Sequence, residues 1–187
     1  MRDAIETVLA MIAIARGAQP SLFTSRCKRG PHLLAPTGAN LDLLGAPGAG
    51  IAKFHYDMNL VTGHGRASCP GLNIWDYHWR RIPVRVPDGC FLMQAGWQLW
   101  YATGGEIMFG FHEVAGCEEM GPFIACERAL GRTPIRVSTS FFYHWESDRY
   151  LYPIGPFANP NNRDSFPRYA AGRQVGDELN AIFSEAA

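Results

Sequence analysis

The sequence has no excess of charge in either direction: 17 lysines and arginines stand against 17 aspartates and glutamates. No global field draws the chain toward a polyanion, so nucleic acid and anionic membrane surfaces are not expected partners. It also lacks any apolar run long enough to span a bilayer. The five cysteines (Cys27, Cys69, Cys90, Cys117 and Cys126) are odd in number and form no CxxC or CxxxC pair. That spacing argues against a disulfide ladder and a zinc knuckle, and points to a reducing compartment. Asp3 and Glu6 break up the start of the chain, which is unlike a secretory leader, so a cytoplasmic location is expected. There are no internal repeats, and 187 residues suit one compact domain, 1–187, with one site.

Within residues 1–17, Ile5, Val8, Leu9 and Ile12 recur at the spacing of one helix face, which predicts an amphipathic helix. Residues 30–50 hold eight glycines and prolines and read as loop, with one short strand at 33–35. From there the texture is of short apolar and β-branched runs at 51–54, 60–62, 72–75, 82–86, 90–94 and 107–111, separated by glycine-rich or Pro-Asp-Gly turns. Many short strands at even spacing predict a sandwich or barrel, here placed at 33–157. A helix is expected at 118–130, inserted into the barrel and broken at its start by Gly121-Pro122, followed by a strand at 135–143. Val175, Leu179, Ile182 and Phe183 mark a second amphipathic helix near the end, at 173–184.

The chemistry concentrates in three places. In His55-Tyr56-Asp57, strand periodicity brings an imidazole and a carboxylate to one face. Alone, such a triplet is as readily a hydrogen-bonded pair at a strand end. His112 follows 55 residues after Asp57, on the strand expected at 105–114. Two imidazoles and one carboxylate on a barrel wall make a facial triad, the set that leaves open positions on a non-haem Fe(II). In Arg136-Val137-Ser138 the same periodicity puts a guanidinium and a hydroxyl together, a seat for a carboxylate. The bland alternative is an arginine in a surface salt bridge.

Taken in order, FHYD (54–57), VPDGCFLMQAGWQLWYATGG (86–105), FHEV (111–114) and RVSTSFFYH (136–144) resemble the C-terminal catalytic half of the isopenicillin N synthase-like 2-oxoglutarate/Fe(II) oxygenases. The likeness runs from about Leu33 to the end of the chain. It implies a mainly β fold with flanking helices, a double-stranded β-helix of the jelly-roll or cupin-like kind. It also implies His55, Asp57 and His112 as iron ligands, and Arg136 with Ser138 as the clamp on the distal carboxylate of 2-oxoglutarate. The activity implied is oxidation of a small organic substrate by O2, most simply hydroxylation, with decarboxylation of 2-oxoglutarate to succinate. The sequence departs from the pattern in three ways. His112 and Arg136 lie 24 residues apart, a longer interval than the family has, which makes Arg132 a rival. The Asn-x-Tyr segment is replaced by Leu33-Leu34-Ala35-Pro36-Thr37, and Trp97 follows Gly96 where the family commonly has Asp. The family's N-terminal region is also expected to be missing, leaving 1–17 as a connecting helix and an uncompleted barrel edge open to self-association. Two alternatives stand beside the oxygenase: a truncated barrel with a non-catalytic binding role, and a zinc enzyme on the same three ligands.

Other residues are read more plainly. His64 is taken as a turn or strand-end histidine rather than a pocket residue, His144 as a satisfied histidine at a strand end, and His78 as hairpin surface. Trp97, Trp100 and Tyr101 are expected to pack a short helix into the core. Tyr56, Met58 and Asn59, beside the triad, are candidates to touch substrate.

Overall fold

The computed structural model describes residues 1–165 and 174–185. In chain order it contains α1 (Arg2–Ala15), β1 (Leu33–Asn40), α2 (Leu41–Leu44), β2 (Gly50–Tyr56), β3 (Val61–His64), β4 (Leu72–Trp75) and β5 (Arg81–Pro83). Then follow β6 (Leu92–Ala95), α3 (Trp97–Ala102), β7 (Phe111–Ala115), α4 (Gly121–Ala129), β8 (Ile135–Tyr143), α5 (Pro160–Ser165) and α6 (Val175–Glu185). The strands form two four-stranded antiparallel sheets, ordered β1-β8-β3-β6 and β2-β7-β4-β5. The first strand pairs with the eighth, the second with the seventh, the third with the sixth and the fourth with the fifth, and alternate pairs fall in opposite sheets. That is a long antiparallel ribbon coiled into a jelly roll, the double-stranded β-helix.

Several elements differ from the reading of the sequence, each for a physical reason. The first strand is eight residues long and passes through Pro36 and Gly38, which as breakers had suggested mostly loop. It is an edge strand, where a residue without an N–H can be accommodated on the unpaired side. β3 continues past Thr62 through Gly63 to His64, because all four of its residues are buried between β6 and β8. The expected strand at 107–111 is displaced, and β7 begins at Phe111. Gly110 instead donates its N–H to the Ala95 carbonyl at 3.0 Å. β5 is only Arg81–Pro83, and β6 starts at Leu92 rather than Cys90. The inserted helical segment is divided at Gly121-Pro122 as expected: Glu118–Met120 form a 3-10 turn, and α4 begins at Gly121 with Pro122 in its first turn, where its missing N–H leaves no bond unmade. The C-terminal helix runs from Val175, and position 173 lies outside the described residues.

The main apolar core lies beside the barrel rather than inside it. α1 buries Ile5, Leu9 and Ala13 against Leu60, Leu99, Tyr143, Trp145 and Phe157. Each fully buried side chain of leucine size contributes about 1.5–3 kcal/mol. The Tyr143 hydroxyl donates to Glu6 Oε1 at 2.6 Å, tying α1 to the end of β8. A second cluster of Leu41, Cys69 and Met120 lies apart from this core. Putting the large apolar residues outside leaves the space between the sheets free for polar side chains.

Candidate metal centre and anion seat

In β2, Phe54 and Tyr56 flank His55, and in β7, Phe111 precedes His112. Phe54 stacks on Phe111 at 5.1 Å and meets Trp75 edge-on at 4.7 Å, while Tyr56 meets Phe111 at 5.7 Å. Because alternate residues of a strand face opposite ways, this aromatic layer on one face of the sheet turns His55 and His112 to the other. The two histidines are directly paired across the ladder, and their ring centroids are 4.2 Å apart. Asp57 follows just after β2. His55 Nε2 lies 3.7 Å and His112 Nε2 3.8 Å from the same oxygen, Asp57 Oδ1. One ligand atom from each of the three lies within 4.8 Å of the other two. Donors on one ion at about 2.1 Å stand at most roughly 4.2 Å apart, so only small movements close the set around a metal.

The supports of the triad come from residues that the sequence reading passed over. Thr62, fully buried, donates to Asp57 Oδ2 at 2.6 Å and to Asn59 Oδ1 at 3.0 Å. That leaves Oδ1 turned toward the two imidazoles. His55 Nδ1 is 2.6 Å from the Lys53 carbonyl, an acceptor that keeps the proton on Nδ1 and the Nε2 lone pair free. Gln94 reaches from β6: its side-chain amide donates to the Gly110 carbonyl at 2.6 Å and lies 2.9 Å from His112 Nδ1. A Cβ at position 110 would collide with that amide, which is why a glycine precedes β7's aromatic-histidine pair. Burial pushes the His112 imidazole down to about 4, with His55 and His64 adding to the effect and Asp57 opposing it. At neutral pH its ring is uncharged and able to bind a cation.

The same cavity, of about 530 Å³, extends from the triad to Arg136. Arg136 is 5% exposed. Its Nε donates to the Pro70 carbonyl at 2.8 Å and its Nη1 to Ser138 Oγ at 3.4 Å. Among the described residues no carboxylate pairs with it; the titratable groups nearest it are the Cys69 and Cys117 thiols, which burial keeps neutral, and burial also disfavours its own charge. Thr37 from β1 adds a hydroxyl, 2.9 Å from Ser138 Oγ. Gly71, at φ +121°, also belongs to this end: a side chain there would strike Met120 and the Ala115 carbonyl, and would touch Arg136 Nε at 3.5 Å. Arg132, the rival, is an exposed residue bound to Glu127 at 2.8 and 2.7 Å.

His64 was read as a turn or strand-end histidine. It does end β3, yet it is buried and lines the cavity, 3.9 Å from Asp57 Oδ2. Thr62 and His64 stand two apart in a strand, so the argument that paired Arg136 with Ser138 would have placed both on one face. Tyr56, Met58 and Asn59 do not line this cavity. Trp97 and Tyr101 are buried in the core, as expected. His144 holds hydrogen bonds to Gln98 and His32, and His78 is exposed.

No family model and no curated protein matches this sequence. Solved structures do. A protein assigned to the 2OG-Fe(II) oxygenase family from Caulobacter crescentus superposes with a TM-score of 0.77 at 22% identity, over 99% of this chain and 56% of that one. The fold is that of the 2OG-Fe(II) oxygenases. Neurospora crassa T7H, solved with alpha-KG and thymine, gives 0.77 at 18% identity over 99% and 53% of the two chains. The rice dioxygenase for auxin oxidation gives 0.70 at 18% identity over 96% and 54%. The chain thus spans about half the length of the structures it matches. Among its described residues no helix is long and apolar enough to cross a membrane.

Proposed function

We propose that this chain carries a non-haem Fe(II)/2-oxoglutarate-dependent oxygenase site that oxidises a small organic substrate, most simply by hydroxylation. The observation that carries this reading is Arg136: a buried guanidinium without a carboxylate partner, facing the cavity whose other end is a His-Asp-His set. The zinc alternative uses the same three ligands, and the Arg-x-Ser strand argues against it. The segment order of the isopenicillin N synthase-like enzymes supports the same assignment. The matched structures add that T7H was solved with alpha-KG and with thymine, a small heterocycle.

In this reading His55, Asp57 and His112 hold the metal on one face, and Thr62, the Lys53 carbonyl and Gln94 fix their orientation. Arg136, Ser138 and Thr37 bind the distal carboxylate of the co-substrate and so aim its 2-oxo end at the triad. The two sheets bury Asp57 and His112, while His55 stays open to solvent. Iron, when bound, supplies the oxygen activation that couples loss of CO2 from 2-oxoglutarate to oxidation of the substrate. Anaerobic Fe(II) with 2-oxoglutarate should give a weak visible charge-transfer band, and aerobic incubation should release succinate. Elemental analysis showing zinc as the tightly held metal, with no band and no succinate, would overturn the assignment.

A further inference from the structure

Between the triad and Arg136 the cavity wall carries another imidazole. His64 is 8% exposed, and its ring meets that of His112 edge-on at 5.2 Å. Nδ1 is 3.3 Å from Ser140 Oγ, whereas Nε2 is buried and makes no hydrogen bond. A buried polar atom left unmatched costs about 1–3 kcal/mol, so one on a residue that lines a cavity calls for a ligand. The neighbours do not meet that need. Asp57 Oδ2, at 3.9 Å, is too far and is already taken by the Thr62 hydroxyl. Gln94 is placed to hydrogen-bond the ring and so favours its proton, yet its amide nitrogen is engaged with Gly110 and His112, and no hydrogen bond of ordinary length and angle joins its Oε1 to Nε2, so both atoms are left without one.

The position of this nitrogen is informative. His64 pairs across the ladder with Ser140, and Ser140, Ser138 and Arg136 occupy successive same-face positions on β8, all lining the cavity. Two strand residues span about 6.6 Å, the scale of a five-carbon diacid. A ligand held by Arg136 and Ser138 at one carboxylate therefore brings its other end level with His64, beside the triad.

We propose that His64 is a co-substrate-binding residue: its Nε2–H donates to the carboxylate at the 2-oxo end of a 2-oxo dicarboxylate, with the Ser140 hydroxyl on Nδ1 fixing the tautomer. This rests on the oxygenase reading and adds to it the contact for the second carboxylate. The test uses His64→Phe, which keeps a ring but no N–H, His64→Leu in case the larger ring does not fold, and His64→Gln, which restores a donor. Each is measured anaerobically in two titrations, Mn(II) alone by calorimetry, and 2-oxoglutarate into the Fe(II) protein by its visible band, with a thermal midpoint to establish folding. The expected result is at least a tenfold weaker grip on 2-oxoglutarate in the Phe or Leu variant, Mn(II) affinity within twofold of wild type, and substantial recovery in the Gln variant. An unchanged 2-oxoglutarate affinity overturns the proposal. So does an equal loss of Mn(II) affinity, which would make His64 a brace for Asp57 or a ligand in its own right. Absence of the band in wild type is a different failure: it overturns the oxygenase reading itself, and this contact with it.

Discussion

Asp57 and Arg136 carry opposite charge, are shut from solvent to nearly the same degree, 6% and 5% exposed, and line one cavity. Yet no ion pair joins them, and their surroundings are built differently. Around Asp57, one carboxylate oxygen is anchored by the Thr62 hydroxyl and the other faces two imidazoles. Around Arg136 there is a carbonyl and a hydroxyl, with the rest of the fork facing the cavity. A buried charge without a partner is expensive, and a fold that keeps two of opposite sign apart must complete each of them from outside. On the proposed reading the two are completed differently: a cation at the aspartate, an anion at the arginine.

The largest effect should follow from removing the anionic end. Asp57→Ala deletes a ligand, so its loss of Fe(II) or Mn(II) affinity should exceed the ~10–100-fold typical of removing a residue that only supports a ligand. Succinate release should fall with it. Metal affinity by calorimetry within tenfold of wild type would break the comparison at that end.

Arg136→Met should show the opposite profile. Losing the guanidinium should weaken 2-oxoglutarate binding by about 100-fold, as for other truncated buried charge pairs, and should weaken the visible band, while metal binding is kept. Because the free protein carries this charge unpaired, the variant without ligand should melt no lower than wild type, and adding 2-oxoglutarate should raise only the wild-type midpoint. A variant that melts well below wild type yet still binds 2-oxoglutarate would reassign Arg136 to holding the fold.

The two ends are unequally legible in the sequence. The grouping of His55, Asp57 and His112 is legible because a strand's period of two is local and the segment order resembles that of the oxygenases, and the three come together in the structure. Arg136 and Ser138 follow from the same period, and the structure buries Arg136 on the cavity while Arg132 lies exposed on Glu127. What could not be read locally was the support. Thr62, Gln94 and His64 matter only because β3 is flanked by β6 and β8, pairings that bring together residues tens of positions apart. β1 was shortened in the reading because Pro36 and Gly38 act as breakers in most contexts, and only its place at a sheet edge makes them compatible with a strand. Thr37, whose hydroxyl lies 2.9 Å from Ser138 Oγ, is on that part of the strand.

A smaller effect concerns acid, and separates the site from its frame. His144, just past β8, is pushed down to about 4, chiefly by burial, with His32 adding to the effect and Asp57 opposing it. An unfolded chain protonates histidine near pH 6.5, so between 6.5 and 4 it binds the proton that the folded chain refuses. Stability attributable to His144 is therefore complete above about pH 6.5 and is lost as pH falls toward 4. On the order of 2 kcal/mol should disappear between pH 7 and pH 5. His144→Gln, measured without metal by chemical denaturation at both pH values, should show a smaller drop. An identical drop would assign the acid sensitivity to the histidines of the triad end instead.

The smallest effect is expected where the contact looks strongest on distance alone. Arg132 grips Glu127 with two hydrogen bonds of 2.8 and 2.7 Å, shorter than the 3.4 Å separating Arg136 Nη1 from Ser138. However, its side chain is 59% exposed, and water competes for every bond that it makes. A pair of this kind contributes about 0.2–1 kcal/mol, weakened further by salt. Arg132→Ala should leave 2-oxoglutarate affinity unchanged and shift the thermal midpoint by no more than a few degrees, in contrast to Arg136→Met. A large loss of co-substrate binding in the Arg132 variant would move the anion seat out of the barrel interior, and the pairing of opposite buried charges across one cavity would lose its positive end.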